Sequence, residues 1–96
     1  MQGQGLNLKV LIEQSNNLTK LDISFNHFKL YQIESILVSI LKAKNMRFLN
    51  VSHNKMNSEK CQRILEELIK NSWLLIDLDI SFTQILRPYE LLEVAN

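Results

Sequence analysis

The sequence predicts a single α/β domain coiled as a short solenoid, and three observations predict it. A nine-residue pattern occurs three times, as LTKLDISFN at 18–26, MRFLNVSHN at 46–54 and LIDLDISFT at 75–83, with apolar residues at places one, four and six. The units begin at residues 18, 46 and 75, so the period is 28 and then 29 residues. Between the strand-like runs lie helical stripes that match in register: each of Cys61, Ile64, Leu65, Leu68 and Ile69 falls 28 residues after an apolar residue of the preceding stripe. A fixed period of this size, with one strand-like run in each, belongs to chains whose units stack on one another.

Residues 1 to 5, with two glycines and two glutamines, offer nothing to bury and are expected to be flexible. The folded domain is placed at 6–96, with a partial unit at 6–17 and the last unit truncated. Leu8, Leu11 and Ile12 recur on one helical face, and Asn16-Asn17 breaks the run before the first strand. This reads as the helical half of an earlier unit, covering the outer edge of the first strand.

In the first strand Leu21 and Ile23 alternate with Lys20, Asp22 and Ser24, one apolar and one polar side at period two. Ile33, Ile36, Leu37, Ile40 and Leu41 then follow the spacing of an amphipathic helix, closed by Lys42 and Lys44 where positive charge suits the helix dipole. The second strand points Leu49 and Val51 inward and Phe48, Asn50 and Ser52 outward. Ser58 is a plausible N-cap of the next helix, with Glu59 in its first turn. In the last unit Ile85 stands where Phe28 and Met56 stood, Pro88 suits a first helical turn, and Leu91, Leu92 and Val94 are placed to pack back.

These residues resemble the leucine-rich repeat family, whose strand pattern L-x-x-L-x-L-x-x-N is followed by a further apolar residue. The long period and well-formed helices are similar to the ribonuclease-inhibitor type. The resemblance implies a short right-handed horseshoe arc, with parallel strands on the concave face and helices on the convex face. It also implies a turn ladder at Asn26 and Asn54, whose amides bond backbone groups of the turn and of the neighbouring unit. Thr83 departs from that pattern, so the ladder should weaken there.

Composition bounds the function. Hydrophobic residues make up 46% and charged ones 22% of 96 residues, with a net charge of +1, an ordinary globular balance. The scattered lysines and arginines argue against nucleic acid, and no apolar run approaches the roughly 20 residues that span a bilayer. Cys61 is the single cysteine, on the buried stripe, where a small core side chain is the expected role; no intrachain disulfide is possible and a cytoplasmic, intracellular setting is expected. His27 and His53 form no metal-ligand pattern, no glycine-rich phosphate loop exists, and no cofactor is expected. Asp22 and Asp79 lie two units apart with Asn50 between them, so no catalytic pair is evident and the chain is read as non-catalytic.

The outward strand positions form columns: Lys20, Phe48 and Asp77; Asp22, Asn50 and Asp79; Ser24, Ser52 and Ser81. They are the first candidates for contact with a protein partner, the plain alternative being solvated strand positions. Phe48 is the one large apolar residue among them and can anchor an interface. Phe25, His53 and Phe82 are expected to pack on one another beside the turn. Trp73 replaces polar residues of the other units and either tucks under its helix or docks on a neighbouring protein. The expected function is a protein interaction scaffold, part of a longer chain or assembly. The alternatives are a structural subunit embedded in a large intracellular assembly, cytoskeletal or ciliary for example, and a regulator of an enzyme such as a small GTPase. For that last reading only Arg87 resembles an arginine finger.

Overall fold

The computed structural model describes residues 12, 17–43, 45–71 and 74–95. The expectations for residues 1–5, for Leu8, Leu11, Asn16 and Lys44, and for Trp73 fall outside that set. Six elements alternate strictly along the chain: β1 (Lys20–Asp22), α1 (Leu30–Lys42), β2 (Phe48–Asn50), α2 (Glu59–Asn71), β3 (Asp77–Asp79) and α3 (Pro88–Ala95). The three strands form one parallel sheet in the order β1-β2-β3. Parallel neighbours need a crossover of a dozen or more residues, and α1 and α2 are those crossovers. Leu21 pairs with Leu49 and Leu49 with Leu78, so the apolar residue at place four of each unit stands on one ladder. Each helix packs on the next, α1 on α2 and α2 on α3.

The helices form where their termini are satisfied. Lys29, in an extended conformation before α1, has a side chain with no acceptor; instead Gln32 Oε1 accepts the Lys29 backbone N–H at 2.9 Å. Ser58 Oγ accepts the Cys61 N–H at 3.1 Å and caps α2 as its sequence position predicts. Lys42 and Lys70 close the last turns of α1 and α2. No helix of the described residues is long and apolar enough to cross a membrane.

The core lies between sheet and helices. Ile33, Ile36, Leu37 and Ile40 of α1 and Cys61, Ile64, Leu65 and Leu68 of α2 are buried with Ile12, Leu49, Val51 and Met56. Each fully buried Leu or Ile stabilises by about 1.5–3 kcal/mol relative to exposure. Burial of the apolar columns peaks in the middle unit, which has a neighbour on both sides: Leu49 and Met56 are buried, whereas Leu21, Leu78, Phe28 and Ile85 are half-buried.

Several expectations need correction. Leu41 and Ile69, placed on the buried stripes, are half-buried. Leu92 does not pack back; it is 68% exposed, while Leu91 is buried and Val94 half-buried, because an eight-residue helix turns only a narrow face to the core. Ser52, placed outward, is only 3% exposed, since both flanking units close over the turn after β2.

Candidate functional site

The side of the sheet away from the core carries the residues that period two assigns to it. Lys20, Phe48 and Asp77 share one row of the ladder, and Asp22, Asn50 and Asp79 another. Together they line a shallow depression of about 270 Å³. Phe48 stands at its centre, 40% exposed, between the lysine of one neighbouring strand and the aspartate of the other. Three carboxylates against one ammonium leave this face negatively charged.

The serine column is engaged within the chain. Asp22 Oδ1 accepts both the backbone N–H and the hydroxyl of Ser24, at 2.9 and 2.6 Å. Asn50 Oδ1 does the same for Ser52 at 3.0 and 2.7 Å, and Asp79 Oδ1 for Ser81 at 3.0 and 2.6 Å. Each pair fixes the turn that ends its strand, so one oxygen of each outward Asp or Asn is committed to local structure. The Ser24 hydroxyl, then its N–H, hold the Asp22 carboxyl below the usual carboxylate range; Lys20 helps and Asp79 opposes. Ser81 does likewise for Asp79, with His53 assisting. Both remain carboxylates at neutral pH. Ser52, buried as well as bonded, offers no surface to a partner, whereas the remaining oxygens of Asp22 and Asp79, on exposed residues, are outside this turn bonding.

Behind the turn runs the asparagine row. Asn54 Nδ2 donates to the Val51 and Ser52 carbonyls at 3.1 and 3.3 Å, and across to the Ile23 carbonyl of the preceding unit at 2.8 Å. Among the described residues Asn26 Nδ2 reaches only its own turn, at Ile23 O and Ser24 O. Thr83 donates only to Ile80 O, at 2.6 Å, so the last unit lacks the crossing bond. The ladder therefore weakens at Thr83, as its shorter side chain and single donor require.

Beside that row Phe25, His53 and Phe82 stack, with ring centroids 3.9 and 4.6 Å apart and interplanar angles of 15° and 21°. All three have φ between 57° and 58°, in the left-handed region that costs a non-glycine residue roughly 1 kcal/mol. Offset stacking of neighbouring rings, worth about 0.5–1.5 kcal/mol per pair, offsets that cost. Nothing in the sequence marks Phe25 and Phe82 as left-handed, and only His53 is of a residue type enriched in that region.

The link between the last two helices was missed by sequence reasoning. Gln62, fully buried, donates from Nε2 to the Arg87 carbonyl and accepts the Arg87 N–H at Oε1, both at 3.1 Å. Glu34, which precedes Gln62 by one period, accepts the Ser58 hydroxyl at 2.8 Å. The same helical position thus ties down the start of the next helix twice over. A buried glutamine reads as surface in a hydrophobicity pattern; its spacing of 28 residues from Glu34 is the signal that was there to find. The Arg87 guanidinium bridges both oxygens of Glu59, at 2.6 and 3.0 Å, and bonds Glu90. These carboxylates push the guanidinium further above its ordinary value, and Arg87 in turn holds Glu59 below its own. Arg87 is therefore engaged as a strut between α2 and α3.

Among the described residues no three His, Cys, Asp or Glu side chains converge on a common point. Cys61 is buried, and burial pushes its thiol above the ordinary value. No family model, curated protein or solved structure gives a significant match to this chain.

Proposed function

We propose that the chain is a non-catalytic scaffold of the leucine-rich-repeat type that binds a protein partner through the outward face of its sheet. Phe48 anchors the contact and Lys20, Asp22, Asp77 and Asp79 supply its charged rim. The observation that carries this reading is the placement of Phe48, a large aromatic left 40% exposed in the middle strand and ringed by charged and polar groups. Aromatic anchors inside a polar surround carry a large share of binding energy at protein interfaces. The leucine-rich-repeat reading is supported by the common ladder of Leu21, Leu49 and Leu78 and by the crossing bond of Asn54. An intracellular setting goes with it, on the cysteine usage.

The test compares wild-type protein and Phe48→Ala as baits in an extract of the native source, with mass spectrometry of the retained proteins and thermal melts of both baits. A protein retained by the wild type and lost by Phe48→Ala, with a melting temperature within about 4 °C, is the expected result. Identical retention, or a fall of more than about 8 °C, would assign Phe48 to the core instead.

A second reading, a subunit embedded in a larger assembly, is favoured by the apolar end of the last unit. There Leu74, Ile76, Leu86 and Leu92 are all exposed.

A further inference from the structure

We propose that the free edge of β3 and the apolar groove beside it take up an extended segment of another polypeptide, with alternating apolar and basic residues, as a fourth strand. This goes beyond the outward-face reading, sharing only Asp77 and Asp79 with it.

The first argument is the backbone. The Thr19 carbonyl accepts the Arg47 and Phe48 N–H groups at 2.8 and 3.0 Å, and the Arg47 carbonyl accepts those of Ile76 and Asp77 at 2.7 and 3.0 Å. Ile76 O is next in that series. Ile23 N–H donates to Asn50 O and Val51 N–H to Asp79 O, both at 2.9 Å, which makes Ile80 N–H the next donor. Phe25 N–H to Ser52 O and His53 N–H to Ser81 O, both at 3.1 Å, point in the same way to Phe82 N–H. Among the described residues no backbone group pairs with these three, so the edge offers one acceptor and two donors at the spacing two junctions already use. An edge of this kind templates strand addition.

The second argument is the groove. Between β3 and α3 a cleft of about 430 Å³ is lined by Ile69, Leu75, Leu78, Ile80, Leu91 and Leu92. Ile76, at its rim, is 69% exposed. It continues the inner side of the sheet, where the junctions already formed bury Leu49 and Val51. The inward residues of an added strand would be apolar for the same reason.

The third argument is charge. On the outer side Asp77 and Asp79 stand at the edge, both exposed. Like charges directly opposite one another destabilise a strand pair, and opposite charges stabilise it. A second molecule of this protein meeting β3 to β3 about a twofold axis would set Asp77 against Asp79 of the other molecule twice. A strand bearing lysine or arginine at alternate positions is complementary instead.

The test uses the whole chain and a fluorescent ten-residue peptide in which leucine or isoleucine alternates with lysine, with binding read by anisotropy. Saturable binding is expected, weakened about fivefold to tenfold in the Asp77→Asn, Asp79→Asn double variant and blocked by Leu92→Arg, which fills the groove from an exposed position. Phe48→Ala should bind the peptide unchanged, which separates this site from the outward-face reading. Bound peptide should slow amide exchange at Ile80 and Phe82. No saturation by about 1 mM would overturn the proposal, as would equal binding of a peptide with glutamate for lysine or of one N-methylated along its backbone.

Discussion

Replacing Asn54 by alanine tests the crossing bond more sharply than any other single change. The Asn54 amide is only 3% exposed and donates to three carbonyls, one of them in the preceding unit. Ile23 O keeps Asn26 Nδ2 at 2.7 Å and Ser52 O keeps the Phe25 N–H, so Val51 O is the carbonyl left without its side-chain donor. Losing two hydrogens' worth of net bonding at about 1 kcal/mol each, and stranding a buried carbonyl at about 1 kcal/mol or more, gives roughly 3 kcal/mol. Removing Asn54 Oδ1, which is buried with no partner among the described residues, returns some of this and brings the expected loss to about 2 kcal/mol. In a domain of this size that lowers the melting temperature by about 8–16 °C. Asn26→Ala removes an exposed side chain whose bonds water can replace, and should cost less than about 1 kcal/mol. Urea and thermal unfolding of the two variants at one pH decide the matter. If Asn26→Ala costs as much as Asn54→Ala, the bond between units is not what holds the turn row together.

Thr83→Asn should stabilise by about 0.5–1 kcal/mol, because the longer amide can reach the Val51 carbonyl as Asn54 reaches Ile23; an unchanged urea midpoint would show that it does not. Gln62→Leu leaves the Arg87 N–H unpaired, while the Arg87 carbonyl keeps the Glu90 N–H, and should cost about 1–2 kcal/mol with faster amide exchange across α3, whereas Gln62→Leu exchanging like the wild type would count against the clamp. His53→Gly loses two ring contacts and Phe25→Gly one, while both relieve the same positive φ, so His53→Gly should melt lower; the reverse order would refute the stack as a stabilising feature. The folded-state values of Asp22 and Asp79 lie below those of the unfolded chain, so their contribution is full above the unfolded carboxylate value near about 4 and is lost as pH falls through the lowered ones. Melting curves from pH 6 down to about 2 should therefore show a shallower acid decline in the Ser24→Ala, Ser81→Ala variant than in the wild type.

The ladder was legible because its cause is local: a period of 28 and 29 residues carries Leu21, Leu49 and Leu78 into register whatever surrounds them. The Ser58 cap was legible for the same reason. The features that escaped depend on neighbours. Ser24, Ser52 and Ser81 share one place in the pattern, yet only Ser52 is buried, because only the middle turn is flanked on both sides. The rows Lys20, Phe48, Asp77 and Asp22, Asn50, Asp79 stand in register as period two requires, but alternation says nothing of how Asp22, Asn50 and Asp79 commit an oxygen to the serine two residues later. Phe25 and Phe82 at positive φ escaped because phenylalanine is not a usual residue of that conformation.

The repeated tether at Glu34 and Gln62 gives the chain a direction. α2 and α3 each begin on a side chain lent by the helix before, and once its successor is gone that polar donor or acceptor can turn to water at little cost. Shortening from the carboxyl end should therefore trim the molecule gradually, whereas deletion from the amino end leaves the next helix without its footing and brings down the later units with it.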